Sequence, residues 1–186
     1  MSVLVTGGAR SGKSSFAERL VMHRSSEAWY VATAQAYDDE MRERIRMHQK
    51  QREAAGYLWH TVEAPLDLPE WISQMGQSRA GTSAPTVLVD CLTLWLSNEL
   101  LAHEHDPESV LQARMDALVE AIRAYPGLLV LVTNEVGDGI VPEYPLGRRY
   151  RDLAGILNQR VAAICREVFL VTVGIAVELK SREYRL

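Results

Sequence analysis

A phosphate-binding motif lies near the start of the chain. Eight consecutive residues match the pattern G-x-x-x-x-G-K-[ST]: Gly7, Gly8, Ala9, Arg10, Ser11, Gly12, Lys13 and Ser14. Glycines let the backbone curl so that several N–H groups point at one anion, and the N-terminus of the following helix adds positive charge. Lys13 would reach the outer phosphates, and the Ser14 hydroxyl would bind Mg2+. The motif predicts a nucleoside triphosphate site; a chance match in a tight strand-to-helix turn is the alternative.

A carboxylate that could complete a metal site is Asp90. It closes an apolar run that begins at Thr86, as the acidic residue of a Walker B strand does. A solvated aspartate at a strand end is the alternative interpretation. Together, Lys13, Ser14 and Asp90 predict binding of a magnesium–nucleotide complex, without indicating what happens to the phosphate.

A histidine with two arginines marks the next segment. Arg44, His48 and Arg52 are four residues apart, so they would share one stripe of a predicted helix. Neighbouring cations favour a neutral imidazole, which could act as a nucleophile while the arginines hold phosphates. From the spacing alone, a surface histidine on a basic helix is the simpler interpretation.

Strands and helices alternate along the chain. Apolar runs predict strands at residues 3–6, 29–33, 59–62, 86–90, 128–133, 168–173 and 175–179. Periodicity predicts helices at residues 14–23, 38–55, 68–75, 92–102 and 148–167, and another from an Asp106 cap, with Pro107 at its first position, to about 124. This alternation is typical of an α/β fold with a mostly parallel sheet and helices on both faces.

Ligands bind such sheets at the carboxyl ends of the strands, where all these motifs fall. Asn134 and Glu135 also end a predicted strand. The loop after them, residues 137–142, would be a phosphate or substrate rim or simply a glycine-shaped turn.

Composition narrows the class of protein. A length of 186 residues predicts one domain, residues 1–186. The net charge of −4 makes nucleic acid an unexpected partner, and no apolar run approaches the length of a membrane span. We expect no secretory signal, because an apolar strand-like run begins at Val3 without a basic segment before it. Cys91 and Cys165 lie in apolar segments, which favours buried thiols and a cytoplasmic location.

The chain resembles the bifunctional adenosylcobinamide kinase / adenosylcobinamide-phosphate guanylyltransferase family of cobalamin biosynthesis. Matching segments run in order from Leu4 to about Lys180: residues 4–14, 30–34, 39–52, 59–63, 89–95, 133–143, 151–155 and 158–159. The phosphate loop is common to many families. The histidine-bearing segment and the Asn-Glu-Val-Gly-x-Gly-Ile-Val-Pro-Glu loop that starts at Asn134 are specific to this one.

The resemblance implies a RecA-like P-loop NTPase fold of three layers and two activities. One phosphorylates adenosylcobinamide with ATP or GTP. The other transfers GMP from GTP to adenosylcobinamide phosphate through a GMP-histidine intermediate, giving adenosylcobinamide-GDP and pyrophosphate. The histidine would be His48, and the assembly would be a cytoplasmic homotrimer that uses Mg2+.

The resemblance also implies a set of nucleotide contacts. Besides the eight residues of the loop, they are Ala32, Thr33, Ala34, Gln49, Lys50, Gln51, Arg52, Glu63 and Asp90.

Two rival functions compete with this one. A simple P-loop kinase for a small molecule would need no nucleophilic histidine. A nucleotide-gated switch protein is the other rival, but the guanine signature Asn-Lys-x-Asp of GTPases does not occur in the sequence.

Overall fold

The computed structural model describes residues 1–35, 43, 47, 52, 56–77 and 84–184. Its centre is a seven-stranded sheet with the order β3-β2-β4-β5-β1-β6-β7. The strands are β1 (Ser2–Thr6), β2 (Glu27–Ala32), β3 (Leu58–Glu63), β4 (Val87–Asp90), β5 (Leu129–Val132), β6 (Glu167–Thr172) and β7 (Ile175–Glu178). Neighbouring strands pair in parallel except β7, which is antiparallel to β6. The mostly parallel α/β sheet is therefore confirmed.

Helices cover both faces of the sheet. They are α1 (Lys13–Arg24), α2 (Leu68–Gly76), α3 (Leu92–Ala102), α4 (Glu108–Ala124) and α5 (Pro145–Ile164), with a short 3-10 helix at Lys180–Arg182. Alternate residues of a strand point to opposite faces, so β1 buries Leu4 in the core under α2 to α5, and Val3 and Val5 in the core under α1. The layers are thus helix, sheet and helix.

The predicted helix at residues 38–55 falls mostly outside the described residues. Glu43, Met47 and Arg52 are described, and all three are helical.

Helices α4 and α5 differ from the sequence prediction in ways that have a physical reason. The Asp106 cap is wrong: its carboxylate lies 2.7 Å from Nδ1 of His103, Pro107 takes the cap position, and α4 begins at Glu108. Helix α5 starts and ends three residues earlier than expected, because Pro145 fits the first turn and Glu167 belongs to β6.

Both cysteines are free and buried, as the sequence predicted. Burial raises the pKa of each thiol to about 11, so both stay protonated at neutral pH. In the part of the chain that the structure describes, no helix is both long and apolar enough to cross a membrane.

An ion-pair network joins α2, α3 and α4. The Arg114 guanidinium donates to Glu99 from Nε at 3.1 Å and to Glu70 from NH1 at 2.5 Å, and it also bonds the Leu66 carbonyl at 2.8 Å. Glu99 is only 1% exposed, and the Arg114 guanidinium bonds both of its oxygens, while His103 Nε2 lies 3.4 Å from Oε2. The same contacts hold the pKa of Glu70 below its usual value.

Replacing Arg114 by methionine should destabilise the fold by about 3 kcal/mol, because it leaves the buried Glu99 carboxylate without its guanidinium. Urea denaturation would measure the change. Arg123→Met is the matched control: it breaks an exposed pair with Glu120 and should cost less than about 1 kcal/mol. Equal losses in the two variants would show that the network contributes no more than a surface pair.

Candidate nucleotide-binding site

The glycine-rich loop forms a tight cradle between β1 and α1. Gly7 has a φ of 157° and is buried, and a Cβ there would lie 2.3 Å from the Val171 carbonyl oxygen. Gly12, with a φ of 93°, is the N-cap of α1. A glycine has no side chain with which to cap the helix, so the first N–H groups of α1 remain available to an anion.

Two polar groups in the loop suit a bound phosphate. Lys13 is buried, and its ammonium lies 3.1 Å from the Gly8 carbonyl oxygen, folded over the loop. The Ser11 hydroxyl is buried and finds no hydrogen-bond partner within the described residues. A phosphate oxygen would satisfy this hydroxyl, which is the local sign that the loop is built for an anion.

The β6–β7 hairpin supports the loop from outside. Its two turn residues, Val173 and Gly174, have φ values of 49° and 81°, and the Gly174 N–H donates to the Ser11 carbonyl at 2.9 Å. A Cβ on Gly12 would lie 3.3 Å from the Gly174 Cα. The apolar runs predicted two strands here but did not indicate that their turn packs on the phosphate loop.

Asp90 ends β4 at the same edge of the sheet, in register with Ala32 of β2 and Val132 of β5. The Tyr30 hydroxyl donates to its Oδ2 at 3.2 Å. Because Tyr30 occupies Oδ2, the other carboxylate oxygen remains for a metal. Asp90 raises and Lys13 lowers the pKa of the neighbouring Cys91 thiol, so both charges act on one region.

The end of β5 lies against the loop as well. The Thr6 hydroxyl donates to Glu135, and the Glu135 N–H donates to the Gly7 carbonyl at 3.1 Å. Asn134 donates to the Thr93 hydroxyl at 2.6 Å. These contacts place Glu135 beside the phosphate loop and Asn134 beside the start of α3.

Two arginines of α5 donate hydrogen bonds to the loop between Glu135 and α5. Arg148 donates to the carbonyls of Pro142 and Glu143 at 3.1 and 2.5 Å, and Arg151 donates to the carbonyl of Gly137. They therefore fix the backbone of residues 137–143.

Three residues that the resemblance implies as nucleotide contacts lie at the end of β2. Thr33 is buried and its hydroxyl both donates to the Cys91 carbonyl at 2.7 Å and accepts from the Cys91 N–H at 2.8 Å, so its side chain joins β2 to β4. Ala32 and Ala34 are half-buried at this edge. Glu63, exposed at the end of the edge strand β3, is in register with Ala32.

The histidine segment is described at few points. His48, Gln49, Lys50 and Gln51 lie outside the described residues. Arg52 is described, and its guanidinium carbon lies 3.6 Å from the centroid of the Tyr30 ring. It is 5% exposed, with NH1 3.7 Å from Oε1 of Glu18.

Sequence reasoning missed two of these residues. Glu18 follows Ser14 by one turn of α1, a spacing that could have drawn attention to it. From the sequence, Tyr30 would be interpreted as an ordinary aromatic residue of the core. Only the fold shows that its hydroxyl reaches Asp90.

The described residues contain no group of three or more histidine, cysteine or acidic side chains that could hold a metal by themselves. A hydroxyl and one carboxylate, Ser14 and Asp90, are instead the donor set expected where phosphates supply most of the ligands of Mg2+.

Comparisons with known proteins agree along almost the whole chain. The model of the family described as cobinamide kinase / cobinamide phosphate guanyltransferase matches residues 3–179. The bifunctional adenosylcobalamin biosynthesis protein CobP of Pseudomonas aeruginosa is 44% identical over 181 residues, covering 97% of this chain and 98% of that protein. The protein CobU of Escherichia coli, described in the same words, is 42% identical over 191 residues, covering 97% and 100%. Among solved structures, a KaiC-like protein from Pyrococcus horikoshii aligns with a TM-score of 0.48 at 15% identity, over 91% of this chain and 69% of that one.

Replacing Gly7 by alanine should displace the loop, because the new Cβ would clash with the backbone oxygen of Val171. We expect a loss of stability of about 2 kcal/mol and a loss of GTP affinity of about tenfold or more. Urea denaturation and calorimetric titration would measure the two effects.

Gly155→Ala is the control, since a Cβ there meets nothing within 4 Å, and alanine in α5 should stabilise by up to about 1 kcal/mol. Normal GTP affinity in Gly7→Ala would mean that the close approach of β6 does not shape the site.

Proposed function

We propose how this chain, which belongs to the cobinamide kinase / cobinamide phosphate guanyltransferase family, distributes that family's two activities over its residues. The enzyme is a bifunctional transferase of cobalamin biosynthesis with cobinamide and nucleotide substrates. Family membership decides against a simple kinase and a nucleotide-gated switch.

Both reactions would use one triphosphate site at the carboxyl edge of the sheet. The observation that carries this proposal is the loop of residues 7–14. It combines a buried Ser11 hydroxyl with no partner among the described residues, the Lys13 ammonium 3.1 Å from the Gly8 carbonyl oxygen, and a start of α1 without a side-chain cap. Preorganised donors of this kind stabilise the charge that develops on transferring phosphates. ATP or GTP would serve the kinase step, and GTP the guanylyl transfer.

Ser14 and Asp90 would hold Mg2+ together with the nucleotide phosphates. When bound, such an ion neutralises phosphate charge and orients the phosphate chain. Asp90 fits this role because Tyr30 takes only one of its carboxylate oxygens.

His48 would carry GMP between substrates. Its imidazole nitrogen attacks the α-phosphorus of GTP, a P–N bond forms, the bond to the bridging oxygen breaks, and pyrophosphate leaves. A phosphate oxygen of adenosylcobinamide phosphate then attacks the same phosphorus and the P–N bond breaks, giving adenosylcobinamide-GDP and free His48. Two successive displacements split one difficult transfer into two easier ones.

The kinase step would need no covalent histidine. The substrate hydroxyl attacks the γ-phosphorus, its proton is lost, and the nucleoside diphosphate leaves. Glu135, an exposed carboxylate beside Gly7, and the loop that Arg148 and Arg151 hold would border the corrinoid.

The remaining contacts would bind the nucleotide: Ala32, Thr33, Ala34, Gln49, Lys50, Gln51 and Glu63. We assign the enzyme to the cytoplasm, since both of its thiols are free.

Incubation with GTP labelled at the α-phosphate should attach GMP to the protein, and His48→Asn should abolish both the label and the guanylyl transfer. Kinase activity should persist in this variant, because that step does not form the phosphoramidate. The label should be labile to acid and stable to base.

Lys13→Ala is the informative comparison, since it should reduce kinase activity and His48 labelling together by about 100-fold or more. Equal loss of both activities in a folded His48→Asn variant would contradict the assignment. Normal labelling in Lys13→Ala would contradict the shared triphosphate site.

A homotrimer should have three times the 20.8 kDa mass of the chain by light scattering. The edge strand β7 offers an apolar surface for subunit contact, with Ile175 65% and Val177 37% exposed. Ile175→Lys should therefore shift the mass towards the monomer. A monomeric wild-type enzyme would refute the assembly.

A further inference from the structure

A partly buried cluster of four side chains, Glu18, Tyr30, Arg52 and Asp90, lies at the carboxyl end of β4. Arg52 packs its guanidinium on the ring of Tyr30, with Cζ 3.6 Å from the ring centroid, and its NH1 lies 3.7 Å from the Glu18 carboxylate. On the other side, the Tyr30 hydroxyl donates to Asp90 at 3.2 Å. The cluster thus forms a continuous path from Arg52 to the carboxylate that ends β4.

Arg52 is held in this place by burial and by charge. It is 5% exposed and Tyr30 is 6% exposed, so water does not compete for either group. The Tyr30 ring and the Glu18 carboxylate replace part of the hydration of the guanidinium, whereas its buried NH1 makes no hydrogen bond within the described residues. Rotating Arg52 toward a phosphate would abandon both partners.

Charge gives Arg52 a second effect on the carboxylates. Burial and Asp90 raise the pKa of Glu18, whereas Arg52 lowers it. Two carboxylates therefore share a partly desolvated region, and Arg52 opposes their mutual repulsion.

Tyr30 transmits the position of Arg52 to Asp90. The Tyr30 hydroxyl lies within hydrogen-bond distance of Asp90 Oδ2 and donates to it at 3.2 Å. Pinned on one face by Arg52, the ring has a fixed place from which its hydroxyl holds Oδ2. The remaining oxygen of Asp90 is then presented in one direction.

We propose that Arg52 is a positioning residue that acts through Tyr30 to orient Asp90 for the metal, rather than a direct ligand of the nucleotide phosphates. The inference rests on the proposed role of Asp90 in binding Mg2+. It departs from the direct nucleotide contact that the family resemblance implies for Arg52.

The test compares nucleotide affinity with and without the metal. Calorimetry with α,β-methylene GTP, which cannot be cleaved between the α- and β-phosphates, is run once in EDTA and once in Mg2+. For Arg52→Met and Tyr30→Phe we expect EDTA affinity within about twofold of wild type, and a loss of about tenfold in the tightening that Mg2+ produces. The double variant should lose no more than either single variant, because both act along one path.

Arg24→Met is the matched control. It removes another arginine–glutamate pair of α1, in which NH1 of Arg24 lies 2.5 Å from Glu167 at the protein surface. In this variant, Mg2+ should tighten nucleotide binding as much as it does in the wild-type enzyme. Tyr30→Phe removes one oxygen only, so it serves if Arg52→Met fails to fold.

Weaker binding in EDTA for Arg52→Met, with Tyr30→Phe unaffected, would overturn the proposal in favour of a direct phosphate contact. An undiminished Mg2+ effect in Tyr30→Phe would also overturn it. If Mg2+ does not tighten binding to the wild-type enzyme, the proposed metal site itself fails and this inference fails with it, an outcome visible before any variant is compared.

Discussion

Parallel pairing of β2, β4, β5 and β1 is the constraint on which the site depends. Because these strands run in one direction and in register, their last residues meet at one edge: Ala32 beside Asp90, Asp90 beside Val132, and Val132 beside Val5. The chain leaves each strand into a loop or helix start, where polar groups need not pair with the sheet. One edge can therefore hold a phosphate cradle, a metal carboxylate and a substrate rim, although these come from distant parts of the sequence.

Much of this edge could be predicted from the sequence because its signals are local. The glycine pattern before Lys13 and the acidic end of an apolar strand at Asp90 each lie within one short segment, and the described elements place both at the same edge. Helix α3 has the predicted bounds for a similar reason, since it follows β4 after one residue and is apolar along its length.

Long-range contacts could not be predicted in this way. Nothing around Tyr30 indicates that its hydroxyl meets Asp90, 60 positions later, or that a guanidinium covers its ring. The Asp106 error has the same origin, although at shorter range. The Asp-Pro pair favours a helix N-cap at Asp106, but His103 takes the carboxylate that would cap the helix. A capping preference derived from residue types does not account for such a competing side chain.

The cluster of Arg52, Tyr30 and Asp90 bears on how one site can serve two reactions. In the proposed shared site, the phosphate chain must stay fixed while the attacking group changes from a histidine nitrogen to a substrate hydroxyl. The cradle fixes it through backbone geometry, which no attacking group alters. Asp90 is fixed through Tyr30 and Arg52, and Arg52 follows the proposed nucleophile His48 by four positions in the chain. In this proposal, the residue that orients Asp90 and the residue that carries GMP belong to one short segment of the sequence, whereas the phosphate cradle belongs to another.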